Sequence, residues 1–387
     1  MSIIPIVFSM NDNYVPYFAA CLLSLQDVAN DNDIYEVYVL NREISYMNKK
    51  TLLSCLTKKN ITLSFVDMNS FIEQKDFKTS IYFPVETFFR LYIPIIFKDR
   101  YEKVLYCDTD IIFCADPAIL FIISLENNKL AAARDNIMNG FINLNPEKRQ
   151  YFTTDLAIKN TDNYFNAGVL LFNIPSITEN DIANIEQMAG RRTYSWFEQD
   201  ILNSYYQGKV TLFNSKWNYI SANSSFLAKV QAMEESHKNE YMQAAHDPQI
   251  IHYAGLRKPW FYPEEELASI WWAYARKTVF YREFLCNLLN FQNEQKIKEL
   301  NKNINQWQKE SSKIQNTFLA TAEQNLNENR LCFVCDHIWY FRWMKWRFYF
   351  CKCLSYGKRR GKYRAKYKAV RDLIRKAKIY VSDLWRN

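Results

Sequence analysis

The stretch IIPIVFS, residues 3–9, decides the fold class of this chain. An unbroken apolar run of this length is typical of a strand that is buried on both faces of a sheet. Helical spacing follows at residues 14–28, and two more strands are predicted at 34–40 and 61–68, on either side of a helix that begins at Ser45. Alternating strands and helices predict a doubly wound α/β domain with a parallel sheet.

This alternation continues as far as Trp260, where the character of the sequence changes. The predicted elements in between are a helix at 85–97, strands at 103–108, 130–135 and 165–173, a helix at 198–208 that ends at Gly208, and a last α/β segment at 249–260. Beyond them, one apolar stripe runs along a long helix and suits packing on the body or pairing with a partner helix: Ile297, Leu300, Ile304, Trp307, Ile314 and Phe318. We therefore divide the chain into an α/β domain at 1–262, a helical linker or stalk at 263–330 and a basic, aromatic helical segment at 331–387.

The charge distribution indicates what the protein binds, and the cysteine content bears on its cellular compartment. The 387 residues carry a net charge of +8, yet residues 331–387 alone hold sixteen Lys or Arg against three Asp or Glu, a charge of +13 that leaves −5 for the rest. Such a tail is expected to meet a polyanion, either a membrane surface or nucleic acid. The start of the chain does not resemble a signal peptide, and no run reaches the length of a spanning helix. We therefore expect a cytoplasmic protein whose nine cysteines form no disulfides.

Asp108 and Asp110 flank Thr109 in the run VLYCDTDIIF, residues 104–113. Paired acids are common in turns, so the motif alone is weak evidence. Its position favours a site, because ligands in open α/β sheets bind just beyond the carboxyl ends of strands. Residues 108 and 110 of an extended chain point the same way, and two converging carboxylates repel each other without a cation. Hard oxygen ligands select Mg²⁺ or Mn²⁺.

His252, at the end of a second apolar run, extends this hypothesis. A lone histidine is more often a structural core residue, but an imidazole added to two carboxylates makes a ligand set that suits Mn²⁺ better than Mg²⁺. Gly255 would let backbone approach a phosphate, and Lys258 would supply a positive charge for it. The three ligands and these two residues together predict a site for a metal and a diphosphate.

Seven sequence blocks give this hypothesis a family. They occur in the order SMNDNYVPY, FFRLYIP, KVLYCDTDIIF, FNAGVLLFN, EQDILN, KWN and HYAGLRKPW. Over residues 3–262 the chain resembles the family 8 glycosyltransferases, in the bacterial branch that contains the lipopolysaccharide galactosyl- and glucosyltransferases. The resemblance implies a GT-A (Rossmann-like) α/β fold, here with a C-terminal α-helical extension, and the retaining transfer of galactose or glucose from a UDP-sugar.

The resemblance also implies roles for individual residues. Asp108, Asp110 and His252 would hold Mn²⁺, or Mg²⁺ as the alternative ion, against the UDP diphosphate. The donor would further contact Ser9, Asn11, Asn13, Tyr14, Arg90, Thr109, Asn166, Ala167, Gly255 and Lys258. Asp135, Glu198 and Gln199 would form the catalytic set, with Gln199 near the anomeric carbon. Two positions depart from the family pattern, since Asn11 and Glu198 stand where Asp is commoner.

The chemistry implied is displacement of UDP with retention. An amide is a poor nucleophile, so we favour same-face attack through an oxocarbenium-like state, with Gln199 as an electrostatic stabiliser. The acceptor is expected to be a lipopolysaccharide or another membrane-linked surface glycan. Two alternatives are a protein or soluble glycan acceptor, and a non-catalytic module that binds sugar nucleotides or membranes.

The basic tail carries the membrane hypothesis. Trp339, Trp343, Trp346 and Phe350 recur at spacings of four, three and four, which puts them on one face of a helix among basic residues. This pattern favours peripheral attachment to the anionic inner face of the cell membrane over a helix docked on the body. Single-stranded nucleic acid is disfavoured because the rest of the chain is mildly acidic. The cysteine pairs Cys332/Cys335 and Cys351/Cys353 approach zinc-site spacing, but the second pair is too close for it.

Overall fold

A computed structural model describes most of the chain as two compact units, residues 1–292 and 293–387. The described residues are 1–73, 85–325, 342–349, 351–352, 361–369, 371–372 and 375. Their strands are β1 Ile3–Ser9, β2 Ile34–Asn41, β3 Ile61–Asp67, β4 Lys103–Cys107, β5 Ile111–Phe113, β6 Leu130–Arg134, β7 Phe165–Asn173, β8 Val210–Phe213, β9 Tyr219–Ile220 and β10 Ile250–His252. Their α-helices before residue 326 are α1 Val15–Val28, α2 Tyr46–Ser54, α3 Asn69–Ile72, α4 Ile93–Ile96, α5 Asn136–Leu144, α6 Pro146–Gln150, α7 Glu179–Arg191, α8 Phe197–Tyr205, α9 Leu227–Gln231, α10 Glu235–His246, α11 Ala268–Ala275 and α12 Tyr281–Asn325.

The main sheet has seven strands in the order β3-β2-β1-β4-β7-β6-β8. Strands β1 to β4 run parallel to one another, as predicted, but β7 runs antiparallel to both of its neighbours, β4 and β6. The prediction of an entirely parallel sheet was therefore wrong. The direction of β7 could not be predicted, because a strand buried on both faces has the same apolar pattern in either direction. The reversal brings the start of β7 to the edge where β4 and β6 end, and the Asp108 N–H donates to the Gly168 carbonyl there at 2.8 Å.

A second sheet of three short strands, in the order β5-β10-β9, lies beside this edge. Strand β5 follows β4 after only three residues and pairs antiparallel with β10, which sets His252 opposite Ile111. The loop between β4 and β5 is residues 108–110. The topology therefore carries His252 from far along the chain to the two predicted acids.

Strand β1 lies in the core of the main sheet. Strand β1 is almost wholly buried, with Ile6, Val7 and Phe8 at 0% exposure, as its unbroken apolar run predicts. Helix α2 begins after Ser45, whose hydroxyl caps the helix by accepting from the Asn48 N–H at 3.2 Å, so the predicted start of this helix is confirmed.

Two helix predictions need correction. Residues Val85–Tyr92 form 3₁₀ turns, and α-helix is limited to Ile93–Ile96, where Pro94 lies in the first turn. A proline there removes a backbone donor and disfavours a continuous helix through the preceding residues. Helix α8 ends at Tyr205, so Gly208 lies in the turn beyond it, with a φ of 73°.

The helices after Trp260 divide between the two units. Trp271 and Phe284 are each 1% exposed and pack with Trp260, so α11 and the start of α12 belong to the first unit. Farther along α12 the predicted stripe is exposed from Ile297 to Ile314, with Leu300 60% and Trp307 58% exposed. The side chain of Phe318 lies outside the described residues.

The described part of the tail consists of short helical segments. Met344, Phe348 and Tyr363 are buried together in a small cluster, while Trp346 is 69% exposed. The predictions about five tail residues concern positions outside the described residues: Cys332, Cys335, Trp339, Phe350 and Cys353. Across the described ranges, no helix is both long and apolar enough to cross a bilayer.

Candidate active site

The loop between β4 and β5 and the end of β10 form a cluster of possible metal ligands. One ligand atom from each of Asp108, Asp110 and His252 lies within 4.8 Å of the others. His252 Nε2 is 3.8 Å from Asp108 Oδ2 and 3.4 Å from Asp110 Oδ1. The structure thus brings the three predicted ligands together at one point.

Each carboxylate uses its other oxygen to bind neighbouring residues. Asp108 Oδ1 accepts from Arg90 Nη2 at 2.8 Å and from the Tyr106 hydroxyl at 2.7 Å. Asp110 Oδ2 pairs with the Lys258 ammonium. Two carboxylate oxygens and one imidazole nitrogen are left facing a common point, a donor set that fits Mn²⁺.

A chain of hydrogen bonds fixes which nitrogen of His252 faces that point. The Gly168 N–H donates to Asn166 Oδ1 at 2.9 Å, so this atom must be an oxygen that accepts. Asn218 Nδ2 donates to the same oxygen at 2.9 Å, which makes Asn218 Oδ1 an acceptor. His252 Nδ1, 2.9 Å from Asn218 Oδ1, must therefore carry its proton. In the neutral ring Nε2 is then the lone-pair nitrogen, and it faces the carboxylates.

Asn166 also connects to the predicted catalytic residues. Its Nδ2 donates to Asp135 Oδ2 at 3.2 Å and to Gln199 Oε1 at 3.1 Å. Gln199 Oε1 also accepts from the Ala167 N–H at 3.0 Å, and Gln199 Nε2 donates to Asp135 Oδ2 at 3.0 Å. Asp135 caps α5, because its Oδ1 accepts from the Met138 N–H at 2.9 Å. Backbone N–H groups thus set the direction of every amide in this network.

Arg90 lies between the metal ligands and Glu198. Its guanidinium packs over the Tyr106 ring at 4.3 Å and donates to the Ala167 carbonyl. Its Nη2 is 3.4 Å from Glu198 Oε1. Glu198 Oε2 is buried and has no hydrogen-bond partner among the described residues. Burial raises the pKa of Glu198 to about 7, although the charge of Arg90 acts in the opposite direction.

Lys258 and Gly255 lie in the loop that follows β10. Lys258 Nζ pairs with Asp110 and donates to the Tyr253 carbonyl at 2.9 Å. Burial acts to lower the pKa of Lys258, but the charge of Asp110 outweighs it and the pKa is raised. Gly255 has a φ of 82°, and a Cβ there would lie 2.8 Å from the Phe226 ring, so both conformation and space call for glycine.

The remaining predicted donor residues lie around the end of β1. Asn11 Oδ1 caps the turn and accepts from the Asn13 N–H at 3.2 Å. Burial raises the pKa of Tyr14, which feels the charges of Lys258 and of both acids. Ser9 Oγ is 2.9 Å from the Tyr106 hydroxyl, which links β1 to the Asp108 cluster. Thr109 is buried between the two acids.

Sequence reasoning missed three residues that orient the ligands. They are Tyr106, which holds Asp108, Asn218, which orients His252, and Gly168, which leaves room for the imidazole. A Cβ on Gly168 would lie 2.8 Å from His252 Nδ1 and would overlap the ring. Asn218 ends the block KWN, which marked the resemblance but gave no hint of this contact.

Comparison with known proteins shows which family the chain belongs to. The family model described as glycosyl transferase family 8 matches residues 5–264. The lipopolysaccharide 1,3-galactosyltransferase of Salmonella typhimurium is 26% identical over 180 residues, 45% of this chain and 49% of that protein. The structure of the bifunctional glycosyltransferase WbbM is 29% identical with a TM-score of 0.68 and covers 74% of this chain and 52% of that one.

A second solved structure is matched over nearly its whole length. The galactosyltransferase LgtC, in complex with donor and acceptor sugar analogs, is 25% identical with a TM-score of 0.57 over 72% of this chain and 96% of that one. The mixed sheet and the helices around it agree with the GT-A fold of these neighbours. The chain therefore belongs to glycosyl transferase family 8.

Proposed function

We propose that this protein transfers a hexose, galactose or glucose, from a UDP-sugar to a glycan acceptor with retention of configuration. The proposal rests above all on one observation. In a family 8 chain, His252 Nε2 and two carboxylate oxygens converge on one point, and this proposal puts a divalent ion and a diphosphate there. The names of the lipopolysaccharide galactosyltransferase and of LgtC support a hexose donor.

Mn²⁺ is the proposed ion, held by Asp108, Asp110 and His252. The mixed set of oxygen and imidazole ligands supports Mn²⁺ over Mg²⁺. A bound divalent ion supplies charge neutralisation to a departing diphosphate. Lys258, beside Asp110, adds a positive charge at the same place, while Arg90 keeps Asp108 in position.

Gln199 acts in this proposal as a fixed dipole and not as a nucleophile. Its Oε1 accepts two hydrogen bonds and its Nε2 donates to Asp135, so the amide cannot rotate without breaking them. This arrangement supports same-face attack by the acceptor hydroxyl, with Gln199, Asp135 and Asn166 around the reacting sugar. Glu198, whose Oε2 has no hydrogen-bond partner in the described part of the chain, would bind a donor-sugar hydroxyl in this proposal. A sugar adduct trapped on Gln199 or Glu198 would contradict this mechanism.

The proposed acceptor is a lipopolysaccharide or another membrane-linked glycan, which brings the protein to the inner face of the cell membrane. The tail supports this part of the proposal through its +13 charge and through Trp346, which is 69% exposed. The name of the Salmonella relative supports a lipopolysaccharide acceptor. Transfer to a soluble glycan or a protein is the alternative outcome of an acceptor screen.

A panel of UDP-sugars tests the donor and the metal together. The wild type should release UDP from UDP-galactose or UDP-glucose with Mn²⁺, and Asp110→Ala should lose at least about a hundredfold of this activity. Asp31→Ala is the matched control, since Asp31 pairs with Lys58 on the surface and its side chain is 83% exposed. UDP binding without any hydrolysis would favour the non-catalytic module instead.

A further inference from the structure

Lys229 on α9 is a half-buried lysine without an anionic partner. Its ammonium lies 4.6 Å from the centre of the Phe226 ring and 5.5 Å from that of Phe141. Among the described residues no carboxylate lies within 4.0 Å of it. Two other lysines with little exposure differ in this respect, since Lys258 pairs with Asp110 and Lys129 with Asp181 at 2.9 Å. Lysine is seldom withdrawn from water without such a pair.

The position of Lys229 connects it to both halves of the candidate site. Helix α9 packs against α5 so closely that a Cβ on Gly140 would lie 2.6 Å from the Lys229 carbonyl carbon. Helix α5 is the helix that Asp135 caps. On the other side, the Phe226 ring packs against Gly255, in the loop that contains Lys258. Residues 226–229 therefore join the Asp135 network to the proposed diphosphate loop.

Asp135 does not neutralise Lys229 directly. Its Oδ1 accepts from the Met138 N–H and its Oδ2 from Asn166 and Gln199. Burial lowers the pKa of Lys229, and the charge of Asp135 offsets this only in part. The two rings attract the ammonium through their faces, but they do not replace a counter-ion. A cation kept in this condition beside catalytic groups is typical of a binding residue.

We propose that Lys229 binds a phosphoryl group that a substrate brings into the active site. The inference rests on the proposed function, in which the donor carries a diphosphate and the acceptor is a membrane-linked glycan, a class that includes phosphorylated members. A lysine ammonium offers three donors to phosphate oxygens. The phosphoryl group comes either from the donor diphosphate or from a phosphate on the acceptor.

Equilibrium binding to the full chain separates these two sources. Dissociation constants are measured by titration for UDP with Mn²⁺, and by ligand-observed NMR for galactose 6-phosphate and galactose. Lys229→Gln should weaken binding of one phosphorylated ligand about tenfold and leave galactose unchanged. Weaker UDP binding identifies the donor diphosphate, and weaker galactose 6-phosphate binding identifies an acceptor phosphate. Lys229→Arg, which keeps the charge, should stay within about threefold of wild type.

Lys49→Gln is the matched control. Lys49 lies on helix α2, and its ammonium also lies over a phenylalanine ring, 5.4 Å from the centre of Phe65. If Lys229→Gln is too unstable to measure, Lys229→Met is used in its place, because methionine keeps the apolar stem and removes the charge. Unchanged binding of both phosphorylated ligands would overturn the proposal. So would equal losses for all three ligands together with a lower Tm. Failure of the proposed function has a different signature, namely phosphoryl binding in the wild type without metal-dependent hydrolysis.

Discussion

The site at the edge of the main sheet and the basic tail are built on different physical principles. At the site, backbone N–H groups determine the direction of each amide, and through Asn218 they determine which nitrogen of His252 faces the acids. In the tail, charge is spread over sixteen basic residues, and Trp346 is exposed. A single misplaced atom should therefore disable the site, whereas only a large deletion should change the properties of the tail.

The largest effect is expected from a truncation inside the first unit, at residue 262. A chain of residues 1–262 lacks Trp271, Trp272 and Phe284, which pack with Trp260. Each buried aromatic contributes about 3–5 kcal/mol, and a whole domain has only about 5–15 kcal/mol of stability. The short chain should not fold, whereas a chain of residues 1–292 should keep its Tm and its UDP affinity. Circular dichroism and UDP titration check this, and a stable, UDP-binding 1–262 chain would refute it.

A single methyl group should nearly abolish metal binding at the site. Gly168→Ala places a Cβ 2.8 Å from His252 Nδ1, so the ring must move away from Asn218 and from the acids. We expect at least about a hundredfold loss of Mn²⁺ affinity in the presence of UDP. Gly361→Ala in the tail is the control, because a Cβ there meets nothing within 4 Å. Equal effects of the two substitutions would remove the proposed difference between the regions.

Loss of the Asn218 amide should weaken the site by a smaller factor. Asn218→Ala leaves His252 in place but removes the acceptor that selects its tautomer. Residues that orient metal ligands contribute about 10–100-fold to metal affinity, so a loss in that range is expected by calorimetry. Asn128→Ala removes a side-chain hydrogen bond to Thr211 outside the site and should leave Mn²⁺ affinity unchanged. An Asn218→Ala protein with wild-type affinity would show that the hydrogen-bond chain is not needed.

Glu198 should make stability depend on pH in a way that an exposed glutamate does not. Burial raises its pKa from 4.5 to about 7, so between these values the folded chain holds a proton that the unfolded chain releases. Stability must then fall as pH rises through this window. The excess stability of wild type over Glu198→Gln should drop by about 1–2 kcal/mol between about pH 5 and pH 7. Urea unfolding measures it, with exposed Glu235→Gln as the control; an excess that stays constant would contradict the assignment.

The smallest effect on chemistry is expected from the tail. Removal of residues 331–387 takes away a charge of +13 and the exposed Trp346. Co-sedimentation with anionic vesicles should be lost, because each basic residue near such a surface contributes about 1 kcal/mol. Hydrolysis of the UDP-sugar should stay within about twofold of the full chain, since the proposed site lies in residues 1–292. A chain of residues 1–387 that does not bind anionic vesicles would contradict the membrane hypothesis.

Much of the fold was predictable because burial leaves a mark on sequence. The apolar runs of β1 and β4 predicted central strands, and the place of Asp108 and Asp110 after β4 predicted a site at the sheet edge. The direction of β7 was not predictable, since its residues are buried whichever way it runs. Asn218 and Lys229 escaped notice for a related reason. The hydrogen-bond direction of an amide and the lack of a counter-ion around a lysine are properties of the folded neighbourhood, and they leave no local pattern.

The most direct test of the central claim is electron spin echo spectroscopy of Mn²⁺ bound to the full chain with UDP. We expect nitrogen coupling from one histidine in wild type. This coupling should disappear in His252→Ala and persist in His237→Ala, which alters a buried histidine whose Nδ1 is 2.7 Å from Asn136 Oδ1. Bound Mn²⁺ without nitrogen coupling in wild type, or with the same coupling in His252→Ala, would contradict a metal site made by Asp108, Asp110 and His252.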